Sequence, residues 1–197
     1  MIKQIGKKII KKTSSSVQSK PNEYLIIDEE SNAVDYLVQS CEFLDKIEKN
    51  RLYIKWFIIA FHGAIYSFMM LALLKVNSAQ IFRDKKNSKH PIDRDLLSFL
   101  QIYFLLKNKD NMGQNPFIST NYHDDCMQEL NDELRNLMMH FRPMVWATEP
   151  WYPASVCYPL LDILKFCINQ IQFRHSDNAT LLAYINRVRD LLSKYKK

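Results

Sequence analysis

The sequence predicts an all-α protein, an antiparallel helical bundle of about five to six helices. The chain has 197 residues and is 47% hydrophobic, enough for one domain with its own core. It contains only three glycines and seven prolines, fewer turn-forming residues than an all-β protein needs. Its apolar residues recur at three- and four-residue spacing, and no segment alternates as a half-buried strand does.

The first 22 residues differ in composition from the rest of the chain. Residues 1–20 hold six lysines and a run of three serines. Four isoleucines in this segment have helical spacing, so a flexible basic tail and a short amphipathic helix both remain open. The apolar residues are not consecutive, so no signal peptide is expected. Residues 23–197 are predicted to form a single helical domain.

The helices are predicted from the apolar stripes and from the residues that interrupt them. Ser31 is the expected N-cap of the first helix, and Pro143 is expected to end the fourth. In chain order, the predicted helices cover about residues 32–48, 52–75, 93–107, 124–141, 154–173 and 178–194. A charged linker (83–91), a long loop (108–122) and a connector rich in proline and tryptophan (144–153) separate the later helices.

Residues 56–74 form an apolar segment of 19 residues without a charged side chain. This length reaches the threshold for a membrane span, so a single span is one interpretation. His62, Gly63, Tyr66 and Ser67 near its middle, and the absence of a second such segment, favour a core helix buried on all sides. We therefore expect a cytoplasmic protein without a membrane span, and a satisfied core role for His62.

The net charge of +6 favours an acidic partner, such as nucleic acid or an anionic membrane. The four cysteines show no C-x-x-C spacing, which argues against a zinc or redox centre. Buried free thiols in a reducing cytoplasm are expected instead.

Arg135, Asn136 and His140 are the candidate catalytic residues. They lie near the end of the fourth predicted helix, hereafter the motif helix. A guanidinium can bind a phosphate through two hydrogen bonds, and an imidazole can transfer protons near neutral pH. Asn136 and His140 are four residues apart and can touch on a helix, and Asp132 can pair with Arg135.

A helical wheel separates these residues from the core stripe. With Arg135 at zero, a rotation of about 100° per residue places Asn136 near ~100° and His140 near ~140°. The apolar residues fall between roughly 200° and 300°; they are Met127, Leu130, Leu134, Leu137, Met138 and Phe141. Core packing therefore does not explain why the three polar residues share one sector.

Three further groups of residues have both a functional and a structural interpretation. Trp146 and Trp151 either stack on unpaired bases or anchor the connector to the bundle. His123 with Asp124 and Asp125 suggests a metal pair, although either aspartate as the N-cap of the motif helix is simpler. The basic residues of the last helix either follow a phosphate backbone or form a solvated face; they are Arg187, Arg189, Lys194, Lys196 and Lys197.

The motif helix and its continuation resemble a known family. Residues 134–146 read Leu-Arg-Asn-Leu-Met-Met-His-Phe-Arg-Pro-Met-Val-Trp. This string resembles the signature helix of the HEPN superfamily, helical domains of many prokaryotic RNases and toxins, in which an Arg and a polar residue precede a His. With Phe-His-Gly-Ala-Ile-Tyr-Ser-Phe-Met at 61–69, it is similar to a plasmid- and genome-encoded HEPN subfamily of unknown function. The resemblance extends over roughly residues 24–192.

The resemblance implies a helical bundle that forms a homodimer in which two motif helices face each other. Arg135 and His140 of both subunits would then form one composite RNase site that needs no metal or other cofactor. His140 would act as general base or acid, Arg135 would bind the phosphate, and Asn136 would orient His140 or contact the phosphate. RNA is the implied substrate, in a toxin or phage-defence setting with an antitoxin or regulatory protein as partner. A non-catalytic module that binds RNA, nucleotide or protein is the alternative.

Overall fold

Helices dominate the architecture, and the predicted all-α class is confirmed. The computed structural model describes residues 27–76, 81–83, 95–140, 147–149 and 151–195. The long helices are α1 (Glu29–Lys46), α2 (Tyr53–Val76), α7 (Trp151–Gln170) and α8 (Asn178–Ser193). The shorter helical segments are α3 (Phe99–Leu106), α4 (Lys109–Met112), α5 (Asn121–Gln128), a π-helical segment (Glu129–Arg135) and α6 (Asn136–Met139). The predicted tail, residues 1–22, lies outside the described residues.

Helix α2 is the centre of the core, as its apolar composition predicts. It packs against α1 and α7, and its phenylalanines 57, 61 and 68 are at most 1% exposed. Among the described residues, α2 alone is long and apolar enough to cross a membrane, by length and composition only. Of its most apolar 18-residue window, 61% is buried inside the protein, as in the core helix of a soluble protein.

Helix α1 begins three residues earlier than predicted, so the expected N-cap at Ser31 is wrong. The N-cap is Asp28, whose carboxylate accepts a hydrogen bond from the Ser31 backbone N–H at 2.7 Å. The Ser31 hydroxyl accepts in return from the Asp28 N–H at 3.0 Å. Aspartate and serine are both good N-caps, and this reciprocal capping box places the serine one turn inside the helix.

Two segments of the chain differ from the predicted elements. Asp95–Leu96 (β2) pairs antiparallel with Phe82–Arg83 (β1), so helix α3 begins only at Phe99, after the Ser98 cap. The short helix α4 occupies part of the predicted 108–122 loop. These strands have two residues each, too few for an alternating pattern to be visible in the sequence.

The last two helices pack on each other and on the first two. The loop between α7 and α8 is tied to α1 by Glu30, which is 3% exposed and accepts three backbone N–H bonds from residues 174–176. A surface ion pair joins α8 to α1, Arg187 with Asp45 at 2.6 Å. A second pair, Lys194 with Glu48 at 4.0 Å, joins the residues that follow these two helices. The four cysteines are free and buried, as predicted.

Candidate functional site

The motif helix is not a regular α-helix. It starts as α5, continues through the π-helical segment Glu129–Arg135 and ends as α6 at Met139. Its N-cap is Thr120, whose hydroxyl accepts from the His123 N–H, while the His123 ring bonds back to the cap. The expected cap at Asp124 or Asp125 is therefore wrong. Asp124 instead accepts hydrogen bonds from the Tyr103 hydroxyl at 2.6 Å and from Lys107 Nζ at 2.7 Å.

The π-helical segment changes the rotation on which the helical wheel depends. Its hydrogen bonds span five residues instead of four, so each turn holds more residues and each residue rotates less. Leu130 and Leu134 are fully buried as predicted, whereas Leu137 and Met138 beyond the segment are only half-buried. Phe141 lies outside the described residues. Single π turns often occur at functional sites, and this one ends at Arg135.

Arg135 and Asn136 are in direct contact. The Arg135 guanidinium donates from Nη1 to Asn136 Oδ1 at 2.8 Å, and both side chains are half-buried. The expected pairing of Arg135 with Asp132 does not occur. The Asp132 carboxylate accepts instead from the amides of Gln128 and Asn131. Among the described residues no carboxylate forms an ion pair with Arg135, so its charge is left available for an anion.

His140 follows directly after the end of the motif helix. Its backbone is extended, with φ −104° and ψ 131°, and its N–H donates to the Asn136 carbonyl at 3.0 Å. The residue is exposed, and the Asn136 amide oxygen that was expected to orient its ring accepts from Arg135 instead. The three predicted residues thus lie at one end of the motif helix, with His140 beyond its last turn rather than on its side.

His62 of α2 contacts the motif helix, and the sequence did not predict this contact. Its Nε2 lies 3.3 Å from Asn131 Oδ1, one turn before Arg135. The Asn131 amide nitrogen donates to Asp132 at 2.5 Å, so its oxygen faces the imidazole and accepts a hydrogen bond from Nε2–H. The ring of His62 also stacks on Phe99, with 4.1 Å between centroids. His62 is therefore satisfied but half-buried, at the contact of α2 with the π-helical segment.

The surroundings of His62 keep its imidazole neutral. Burial lowers the pKa of His62 to about 4; the hydrogen bond that His62 donates to Asn131 opposes this effect, and the nearby positive charge of Arg135 adds to it. The guanidinium of Arg135 is thus close enough to His62 to lower the pKa of its imidazole. A polar side chain in an apolar helix needs a hydrogen-bond partner. The presence of His62 in this helix therefore indicated that it would bond to a residue of another helix.

The other candidate residues are mostly engaged in structural contacts. Trp151 begins α7, is 36% exposed, packs edge-on against Tyr152 and donates to Glu149; its role stays a prediction, and Trp146 lies outside the described residues. Arg187, Arg189 and Lys194 each pair with an acidic side chain. The described residues contain no group of three His, Cys, Asp or Glu side chains that could hold a metal ion.

Comparison with known proteins gives no match to any protein-family model, curated protein or solved structure.

Proposed function

We propose that this chain is a metal-independent endoribonuclease of the HEPN type in which Arg135 binds the scissile phosphate and His140 transfers protons. The observation that carries the proposal is an Arg135 guanidinium without a carboxylate partner among the described residues, five residues before an exposed histidine. A buried or ion-paired arginine at this position would instead indicate a structural role. The net charge of +6 suits a polyanionic substrate.

The proposed reaction is attack of a ribose 2′-oxygen on the adjacent phosphorus. His140 accepts the 2′-hydroxyl proton, the bond from phosphorus to the 5′-oxygen breaks, and a proton is returned to that oxygen. The products are a 2′,3′-cyclic phosphate and a 5′-hydroxyl. Arg135 stabilises the charge that develops on the phosphate oxygens, and Asn136 fixes the guanidinium through the 2.8 Å hydrogen bond.

A composite site formed by two copies of the chain is part of the proposal. His140 lies at the exposed end of the motif helix, and the neighbouring Met139 is 50% exposed. A second motif helix facing this end would supply a second imidazole, so that one histidine acts as base and the other as acid. A cytoplasmic toxin or phage-defence protein, held in check by an antitoxin or regulatory protein, is the corresponding biological role.

RNA cleavage by the purified chain in the presence of a chelator tests the proposal. We expect cleavage to fall by at least about 100-fold in Arg135→Ala and in His140→Ala, since each removes a group that acts in the transition state. Arg174→Ala and His175→Ala are matched controls, because these adjacent side chains are 63% and 68% exposed on the loop between α7 and α8. A substrate with a single 2′-deoxyribose at the cleavage position should remain intact there.

Two results would contradict the endoribonuclease. The first is equal cleavage by the wild type and the two site variants, which would indicate a contaminating nuclease. The second is RNA binding that survives His140→Ala while the wild type shows no turnover under any condition. That second result would favour the non-catalytic binding module.

A further inference from the structure

The start of helix α2 carries an exposed aromatic side chain beside a cation. Trp56 is 48% exposed, and Lys55 Nζ lies 5.2 Å from the centroid of its ring. Arg51, in the turn before the helix, is also exposed, and Leu52 beside it is 73% exposed. An aromatic ring flanked by cations is the arrangement with which proteins bind unpaired bases and their phosphates.

The lysine at Trp56 differs from the lysines at other aromatic rings. Lys107 lies 5.5 Å from the ring of Phe104, which is 58% exposed, but both oxygens of Asp124 bind that lysine. Lys46 lies near Phe43 and forms an ion pair with Glu42. In the described part of the chain no carboxylate pairs with Lys55. Its charge is therefore available for a phosphate, whereas the charges of the other two lysines are already neutralised.

Helical spacing connects Lys55, the lysine at the Trp56 ring, to the candidate site. His62 follows Lys55 by seven residues, which is about two helical turns, so Lys55 and His62 lie on the same side of α2, whereas Trp56 lies about 120° around the helix from His62. His62 is the residue that contacts Asn131 and experiences the charge of Arg135. A shift of seven positions from Lys55 to His62 corresponds to about 10.5 Å along the helix axis. Lys55 thus lies on the side of α2 that meets the motif helix, and the exposed indole lies next to Lys55, outside that side.

We propose that Trp56 and Lys55 form a subsite for single-stranded RNA, in which an unpaired base stacks on the indole and Lys55 contacts a phosphate. The subsite would hold a nucleotide beside the one whose phosphate Arg135 binds. The choice of RNA as ligand rests on the proposed function. The stacking itself involves no bond cleavage, so it is tested by binding alone.

Binding of a labelled oligouridylate to the full chain carrying His140→Ala tests the subsite without cleavage. We expect Trp56→Ala to weaken binding by about 10-fold, because stacking of one base on an aromatic ring has an effect of this size. Trp56→Phe should retain most of the affinity, and Trp56→Leu should behave like Trp56→Ala. Phe104→Ala is the matched control and should bind as the parent does, since its lysine is held by Asp124.

An abasic oligonucleotide of the same length separates stacking from simple charge attraction. We expect it to bind more weakly than oligouridylate and to be insensitive to Trp56→Ala. Equal binding of both oligonucleotides, an unchanged affinity in Trp56→Ala, or no RNA binding at all would overturn the subsite. Restoration of affinity by Trp56→Leu would also overturn it, because it would show that apolar area rather than the ring is needed.

Vesicles of anionic phospholipid provide the test against a membrane contact. Tryptophan and lysine at the end of an apolar helix also suit a membrane interface. Vesicle binding that Trp56→Ala abolishes, with RNA binding unaffected, would overturn the subsite in favour of a membrane surface. Trp56-dependent RNA binding without any cleavage by the wild type would support the subsite and contradict the nuclease. If Trp56→Ala changes neither cleavage nor the affinity for oligouridylate, the result would support the nuclease and contradict the subsite.

Discussion

His62 on α2 donates a hydrogen bond from Nε2 to Oδ1 of Asn131, across 3.3 Å, and so joins the central helix to the π-helical segment. The pair lies one turn before Arg135, whose charge contributes to the lowered pKa of the imidazole. His62 is neutral beside the positive Arg135. Protonation of His62 would add a second positive charge and place it in a half-buried position.

This relationship predicts that the protein loses stability in mildly acidic solution. The pKa of His62 is about 4 in the folded chain and about 6.5 when the chain is unfolded, so the unfolded state binds the proton first. The free energy of unfolding should therefore fall as the pH drops from 6.5 to 4, by at most about 3.4 kcal/mol. Below pH 4 both states are protonated, and His62 causes no further loss.

Urea unfolding at several pH values measures this effect. In His62→Gln the free energy of unfolding should fall less between pH 6.5 and pH 4 than in the parent, because the contribution of His62 is removed. His175→Gln, at a 68% exposed side chain, is the control and should show the same fall as the parent. An unchanged pH profile in His62→Gln would contradict the assignment, and a direct titration of the ring by NMR would show where its pKa lies.

A second prediction concerns Glu30 and the loop between α7 and α8. Its carboxylate accepts the backbone N–H groups of residues 174, 175 and 176 at 2.8 to 2.9 Å. Glu30→Ala leaves three buried or half-buried donors without this acceptor, and we expect a loss of about 3 kcal/mol in stability. Glu30→Gln should lose less, since one amide oxygen still accepts. Chemical denaturation measures both values.

Glu29→Ala is the matched control for Glu30. The neighbouring carboxylate is 58% exposed and forms a surface ion pair with the Arg174 side chain at 3.2 Å. Such exposed pairs are worth about 0–1 kcal/mol. Equal losses in the Glu29 and Glu30 variants would show that the buried carboxylate has no special role.

The four thiols give a third prediction. Burial raises the pKa of Cys41 to about 12 and of Cys126 to about 11, and it raises the pKa of Cys157 and Cys167 above their ordinary range as well. Only the thiolate reacts, so labelling of the native protein by a thiol reagent at neutral pH should be slow. All four thiols should react promptly in denaturant. Rapid labelling of a native cysteine would indicate local opening of its helix.

The sequence predicted the long helices because their periodicity records which face is buried. Phe57, Phe61 and Phe68 lie inside because their whole helix is apolar, and no knowledge of the neighbouring helices is needed. The start of α1 was misplaced because Asp28 and Ser31 are both good caps. Only the reciprocal hydrogen bonds decide between them.

The sequence indicated which residues are candidates for the site, but it did not predict how these residues are arranged. The wheel assumes a helix that continues to Phe141, whereas the helix ends at Met139 and leaves His140 in an extended conformation beyond it. A constant rotation also cannot represent the π-helical segment, which changes the positions of residues before Arg135. The contact of His62 with Asn131 joins residues 69 positions apart in the chain, and no local pattern contains it. The catalytic roles of Arg135 and His140 remain predictions that the cleavage experiment addresses.

The fourth prediction concerns the close approach of α1 and α2 at Gly63. A Cβ atom there would lie 2.7 Å from two ring carbons of Tyr36 and 2.9 Å from its Cγ. The Cγ atom is bonded to the Cβ of Tyr36 and is not at the flexible end of that side chain. Alanine gains about 1 kcal/mol over glycine in a helix interior, but overpacking costs about 1–3 kcal/mol. We therefore expect Gly63→Ala to destabilise the protein by about 1 kcal/mol.

Removal of the Tyr36 ring should reverse the sign of that effect. In a Tyr36→Ala background the space beside Gly63 is open, so Gly63→Ala should stabilise the protein by up to about 1 kcal/mol through helix propensity. Unfolding of the parent, the two single variants and the double variant gives the coupling energy between the two positions. The same effect of Gly63→Ala in both backgrounds would mean that Tyr36 does not set the requirement for glycine, and that α1 can shift to accept the methyl group.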